Sequence, residues 1–186
     1  MPYLHRNTPV RLVSILFAVL LLAGSATAQE PESPDLSGIP QPVMEGLKAR
    51  FPQAEIRQWS QEEEGGIVVY DFEFIQDGQK LEADVKEDGS IFNWEKAIAA
   101  EDLPGKVKET VTLKYPEASL VEIMEITAVN EGKEALEGYE IVLKTAADKE
   151  VEVMVAPDGK ILEEDAVNPE AETKPQRLDR RTEGKN

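Results

Sequence analysis

Carboxylates are the main side chains in this sequence with the chemistry of a site. The chain carries 37 Asp+Glu against 20 Lys+Arg, with one His and no Cys. The single His is His5, close to the N-terminus. Beyond it the sequence cannot supply a Ser-His-Asp or Cys-His nucleophile system. Zinc, haem and iron–sulfur centres built on His or Cys are excluded for the same reason. The commonest general acid–base residue is also missing. Carboxylate, Lys and Tyr chemistry remains. Paired carboxylates can hydrolyse glycosidic bonds, but in a chain this acidic close pairs arise anyway and single out no residue. The sequence therefore reads as a non-enzyme that needs no cofactor.

Two constellations stand out. Asp84 to Glu95 partly fits a calcium loop, with Asp84, Asp88, Gly89, Ile91 and Glu95 at the right offsets. Lys86 stands where a ligand oxygen belongs, and the flanks read as strands, so a plain hairpin around Asp88-Gly89 is expected and no metal site. The second constellation is aromatic. With Ile56 and Ile91 turned toward a helix, strict alternation sends Trp59, Phe92 and Trp94 to the opposite sheet face. There they would join Ile75 inside a ring of Asp71, Glu73, Glu82 and Asp84, a candidate partner-binding patch. The competing structural reading has each Trp closing a sheet edge or an internal seam. A register slip of one residue reverses every one of these facings.

The elements that would position these residues can be read from periodicity. Val43, Leu47 and Phe51 recur every fourth residue, as do Val107, Val111 and Tyr115. That spacing marks one face of a helix. Pro40 and Pro104 suit helix starts, and Pro52 and Pro116 stop the turns. Helices are expected near 40–51 and 104–115. Val68, Tyr70, Phe72 and Phe74 then alternate with Val69, Asp71, Glu73 and Ile75, and Leu81, Ala83 and Val85 with Glu82, Asp84 and Lys86. Asp77-Gly78, Asp88-Gly89 and Asp158-Gly159 are hairpin turns in sequence. Glu62-Glu63-Glu64 and Glu163-Glu164-Asp165 read as solvated loops.

The pattern occurs twice. Ile39-Pro40, Val43, Leu47, Phe51-Pro52 and Ala54 correspond to Leu103-Pro104, Val107, Val111, Tyr115-Pro116 and Ala118. After a longer stretch near Val129–Glu137, Tyr70, Phe72 and Phe74 correspond to Tyr139, Ile141 and Leu143, and Asp88-Gly89 to Asp158-Gly159. The expected fold is α+β, in two tandem repeats. Each repeat is a helix packed on a roughly four-stranded antiparallel sheet whose other face is open and charged.

The termini suggest export. His5, Arg6 and Arg11 precede an apolar run from Leu12 to Leu22, and Ala26-Thr27-Ala28 ends it as a small-x-small cleavage signal. The run is about 11 residues, short of the ~20 that span a bilayer. The expected organisation is a signal peptide at 1–28 and a flexible leader at 29–38. Repeats at 39–100 and 101–168 come next, then a disordered tail at 169–186. Removing 1–28 takes away Arg6 and Arg11 and no acid, leaving 18 Lys+Arg against 37 Asp+Glu, a formal −19. Such a chain repels nucleic acid and anionic membranes and suits cations or basic partners. Its tail is locally basic, with Lys174, Arg177, Arg180, Arg181 and Lys185 against Asp179 and Glu183.

The motifs Ile39-Pro40…Phe51-Pro52-Gln53-Ala54, Tyr70-Asp71-Phe72-Glu73-Phe74 and Asp88-Gly89-Ser90-Ile91, with their second-copy counterparts, resemble the PepSY-like domains. The likeness is to the group that includes beta-lactamase-inhibitor-like proteins, and it spans roughly 39–100 and 103–165. It implies an exported binding or inhibitory module in the periplasm or outside the cell. Such a module would act through the open sheet face, have no catalytic residues to carry over, and take a protein partner, a basic one by charge. An acidic, divalent-cation-binding envelope protein is the alternative.

Overall fold

The computed structural model describes residues 33–64 and 66–166. The expected signal peptide, the start of the expected leader and the whole of the expected tail lie outside them.

Helix α1 spans Gln41–Arg50 and helix α2 spans Gly105–Lys114. Both start on a proline and stop within a residue of the positions read from the periodicity. Pro40 and Pro104 sit extended at the N-cap, and Phe51 and Tyr115 close each helix with an N–H bonded back to the carbonyls of Leu47 and Val111. Four strands come after α1: β1 Glu55–Glu64, β2 Ile67–Gln76, β3 Gln79–Lys86 and β4 Ile91–Ala97. Four more come after α2: β5 Ser119–Asn130, β6 Lys133–Lys144, β7 Glu150–Val155 and β8 Ile161–Ala166.

All eight strands form one antiparallel sheet in chain order. The middle joint is β4 on β5, from Asn93 opposite Ala128 to Ala97 opposite Met124. Tight turns set the registers. Asp77 and Gly78 both take positive φ between β2 and β3, as do Glu131 and Gly132 between β5 and β6, the conformation a two-residue hairpin needs. The long stretch near Val129–Glu137 is the tip of that second hairpin, which extends β5 and β6 to 12 residues each.

Both helices lie on one side of the sheet. Val43, Leu47 and Phe51 pack with Tyr70, Phe72, Phe74, Leu81, Ala83 and Val85. Val107 and Val111 pack with Ile123, Tyr139, Ile141, Leu143, Val153 and Val155. The first helix meets its sheet very closely. A Cβ on Gly46 would lie 1.9 Å from the Gly89 carbonyl oxygen, so only glycine lets this helix settle on the β3–β4 turn. In α2 the matching place is Thr110, whose hydroxyl donates to the Gly159 carbonyl at 2.7 Å.

Three expectations need correction. Trp59 and Trp94 face the helices, not the open side: Trp59 stands opposite Phe72 and Trp94 opposite Ala83, both core residues. The cause is a bulge in each strand. Register shifts between Ile56 and Gln58 in β1, and between Ile91 and Asn93 in β4. Arg57 and Phe92 are the extra residues, and each bulge re-phases the rest of its strand. Phe92 therefore sits at the β4 bulge, its ring 5.0 Å from the Lys86 ammonium. Lastly, Glu62-Glu63-Glu64 and Glu163-Glu164-Asp165 are in strands β1 and β8, not in loops. These are the edge strands, where charged side chains discourage pairing with other chains.

The two indoles have structural partners. Trp59 stacks on Tyr70 at 6.3 Å and donates its indole N–H to the Asp35 carbonyl at 2.8 Å. The last part of the expected leader is thereby held against edge strand β1. Trp94 meets Phe51 edge-on at 6.1 Å, and Arg50 lies over its ring at 5.1 Å. Arg50 also pairs with Glu134 on β6 at 3.0 Å, which ties α1 to the far half of the sheet.

Candidate functional site: the open carboxylate face

Alternation along β2 and β3, and the bulge in β4, place acids side by side on the face away from the helices. Asp71 lies opposite Asp84, Glu73 opposite Glu82, Glu82 opposite Glu95, and Asp84 opposite Asn93. Directly opposed side chains have Cβ atoms about 4.5–5.5 Å apart, and like charges there oppose folding. Ile75 shares this face at its edge, opposite Lys80. Of the residues singled out from sequence, Asp71, Glu73, Glu82, Asp84 and Ile75 thus come together. Trp59 and Trp94 do not join them.

The sequence reading did not place Asn93, Glu95, Glu122 and Glu140 on this face. Unbroken alternation would have placed Asn93 and Glu95 in the helix-side core. A carboxylate there is costly to bury, and that conflict was the available signal for a bulge.

The face is less exposed than a bare sheet. Asp84, Glu95 and Glu140 are only 6%, 2% and 3% exposed. Val69, Met124, Ile126, Val142 and Met154 are also buried, yet belong to neither helix-side core. Met124 and Ile126 share the face with Glu95 and Glu140 by register. The side chains of this face therefore pack on one another, and the acids are embedded among apolar neighbours.

That setting raises their proton affinity. Burial, then the charges of Asp84 and Glu82, hold Asp71 well above the usual carboxylate range. Burial, then Glu140 and Glu82, do the same to Glu95. Burial, with Glu82 adding, lifts Glu73 to about 7. Asp84 rises to about 6 through burial, although it accepts a hydrogen bond from Asn93. Lys80 is the cation inside the group, 3.0 Å from Glu82 and 2.7 Å from Glu122. Burial alone would weaken its proton, but those two carboxylates hold its affinity above normal. One oxygen of Glu95 is buried with no hydrogen-bond partner.

The arrangement can accept hydrogen bonds from ammonium or guanidinium groups and can bind protons. Among the described residues no three acids are grouped so as to hold a metal ion. Among them, too, no helix is long and apolar enough to cross a membrane.

No family model matches this sequence, and no curated protein does. Solved structures do match. A BLIP-like protein from Bacteroides fragilis aligns at 20% identity with a TM-score of 0.50, covering 69% of this chain and 86% of that one. A candidate periplasmic protein from Bacteroides eggerthii aligns at 16% identity and a TM-score of 0.56, covering 69% and 88%. A DUF2874 family protein from Bacteroides uniformis aligns at 14% identity and a TM-score of 0.55, covering 68% and 88%. The chain has the fold of these BLIP-like and DUF2874 proteins, in line with the resemblance read from its sequence.

Proposed function

We propose that this chain is an exported, non-enzymatic binding module that takes a basic protein segment on the open face of its sheet. The observation that carries the reading is the block of Asp71, Glu73, Glu82, Asp84 and Glu95 in adjacent register, on a face that neither helix covers. A free sheet face this rich in carboxylate opposes folding by self-repulsion. A cationic ligand would offset that cost and gain from the partly desolvated surroundings. The partner patch is accordingly the acids with Ile75, and Trp59 and Trp94 support the scaffold. Export is favoured by residues 1–28 and by the likeness to a candidate periplasmic protein. Inhibition of an enzyme is the form of such binding we propose, a reading suggested by the BLIP-like name of one structural relative. We read the scaffold itself as a duplicated unit, 39–100 and 101–168, with a helix and four strands in each half.

The test is a titration of the chain from Gln29 with a decalysine peptide and with a decaglutamate peptide, at low and at physiological salt. Decalysine is expected to bind, more weakly as salt rises, and to lose most affinity to a Glu73→Gln/Glu82→Gln/Asp84→Asn variant. Equal binding of both peptides, or no effect of the triple substitution, would sink the proposal.

A further inference from the structure

The chain supplies a segment with the chemistry this face would recognise. It continues for 20 residues beyond Ala166, the end of β8. Lys174, Arg177, Arg180, Arg181 and Lys185 stand there against Asp179 and Glu183, a basic stretch on a strongly acidic protein.

Its point of departure suits the face. Asp165 pairs with Glu152 on β7, Glu152 with Val142 on β6, and Val142's other partner across β5 is Glu122. Lys80 then ties Glu122 to Glu82, the centre of the carboxylate block. By register the chain therefore leaves the sheet at one end of a row that runs through Glu152 and Glu122 toward the block. Strands lie about 4.8 Å apart, so β4 is ~19 Å and β2 ~29 Å from β8. Lys174 is eight residues past Ala166 and Arg177 eleven. At about 3.3 Å per residue they reach up to ~26 and ~36 Å. Measured across the strands, Lys174 reaches β4 but not β2, and Arg177 reaches both.

The block also holds an unsatisfied acceptor. The unpartnered oxygen belongs to Glu95, a side chain almost wholly removed from solvent between Glu82 on β3 and Ile126 on β5. A buried acceptor left unbonded is costly, and a guanidinium or ammonium group would satisfy it.

We propose that the basic segment 174–185 docks on the chain's own carboxylate face and competes there with an external basic partner. This rests on the reading of that face as the binding surface. The mechanism is one of effective concentration: a tethered ligand of modest affinity fills the site until a tighter or more concentrated partner displaces it.

The experiment uses three forms of the chain from Gln29. They are the natural sequence, a tail-neutral form with Lys174→Gln, Arg177→Gln, Arg180→Gln, Arg181→Gln and Lys185→Gln, and the tail-neutral form carrying Glu73→Gln/Glu82→Gln. Each is titrated at low salt with a labelled peptide of sequence 174–186 and, separately, with decalysine. The tail-neutral form is expected to bind both peptides about tenfold more tightly than the natural sequence, and the added face substitutions to abolish that gain. Equal affinity of the natural and tail-neutral forms overturns the inference. If the tail-neutral form binds decalysine but not the tail peptide, the inference falls and the reading of the face stands; if it binds neither, both fall. Carbodiimide coupling of Lys174 or Lys185 to face carboxylates within one chain is the expected accompaniment. Coupling only between two chains would assign the segment to a second copy and overturn the intramolecular form.

Discussion

Neutralising Asp84 should make this protein more stable at neutral pH and leave it unchanged in acid. In the folded chain Asp84 keeps its proton up to about pH 6, because it is buried and faces Glu62 and Glu82, with only the Asn93 hydrogen bond acting the other way. In the unfolded chain it releases that proton near the ordinary 3.8. The folded state therefore binds more protons than the unfolded state between these values, and stability falls as pH rises through the window. At 1.36 kcal/mol per pH unit, the gap from 3.8 to about 6 is worth ~3 kcal/mol. The Asp84→Asn variant keeps an oxygen to accept from Asn93 and has nothing to ionise. It should be about 2–3 kcal/mol more stable than the natural chain at pH 7 and equal to it at pH 3.5. The assay is urea unfolding monitored by tryptophan fluorescence at both values, away from the isoelectric region near 4.5. With a slope of about 1–3 kcal/mol per molar urea, the midpoint should move up by roughly 1–2 M at pH 7. An unchanged or lowered midpoint at pH 7, or the same shift at both pH values, would refute the idea that the acids of this face are held against their own repulsion.

Other substitutions test the scaffold. Gly46→Ala should cost at least 2 kcal/mol in the same unfolding assay, because its Cβ would meet backbone at Gly89, whereas Gly105→Ala, with open space around it at the start of α2, should be neutral or slightly stabilising. Trp59→Phe should lose about 1 kcal/mol with its bond to the Asp35 carbonyl and speed amide exchange at Ser37 and Ile39, which are tied to the same turn. Arg50→Lys should lower stability by less than 1 kcal/mol, since the pair with Glu134 is solvent-exposed, and a larger loss would mean that stacking of the guanidinium over Trp94 within the first half, not the pair with Glu134, carries the effect.

Helices and hairpins were legible in the sequence because their signals are local. The four-residue spacing of Val43, Leu47 and Phe51, the flanking prolines and the Asp-Gly turns each act within a few residues, and the observed elements obey them. Facing was legible only as far as alternation ran unbroken. From Tyr70 to Phe74 it held, and the acids of β2 and β3 were placed correctly. At Arg57 and Phe92 one extra residue reversed it, and with it the places of Trp59, Trp94 and Glu95. A bulge leaves no composition of its own; the clue is the mismatch it resolves, here a Glu and an Asn that alternation would bury under a helix. Joining of the two halves into one sheet through β4 and β5 was likewise beyond local reading, since nothing near Asn93–Ala97 names Met124–Ala128 as its partner.

The methionine methyl groups offer the most direct test of the open face as the binding surface. Met124 and Met154 lie on that face with Glu140 between them, while Met44 belongs to α1 and packs against the helix-side core. With carbon-13 in these methyl groups, a decalysine titration at low salt should move the Met124 and Met154 signals together in a saturable, salt-sensitive way and leave Met44 in place. A shift at Met44 alone, or no shift at Met124 and Met154 while the peptide binds, would contradict the account.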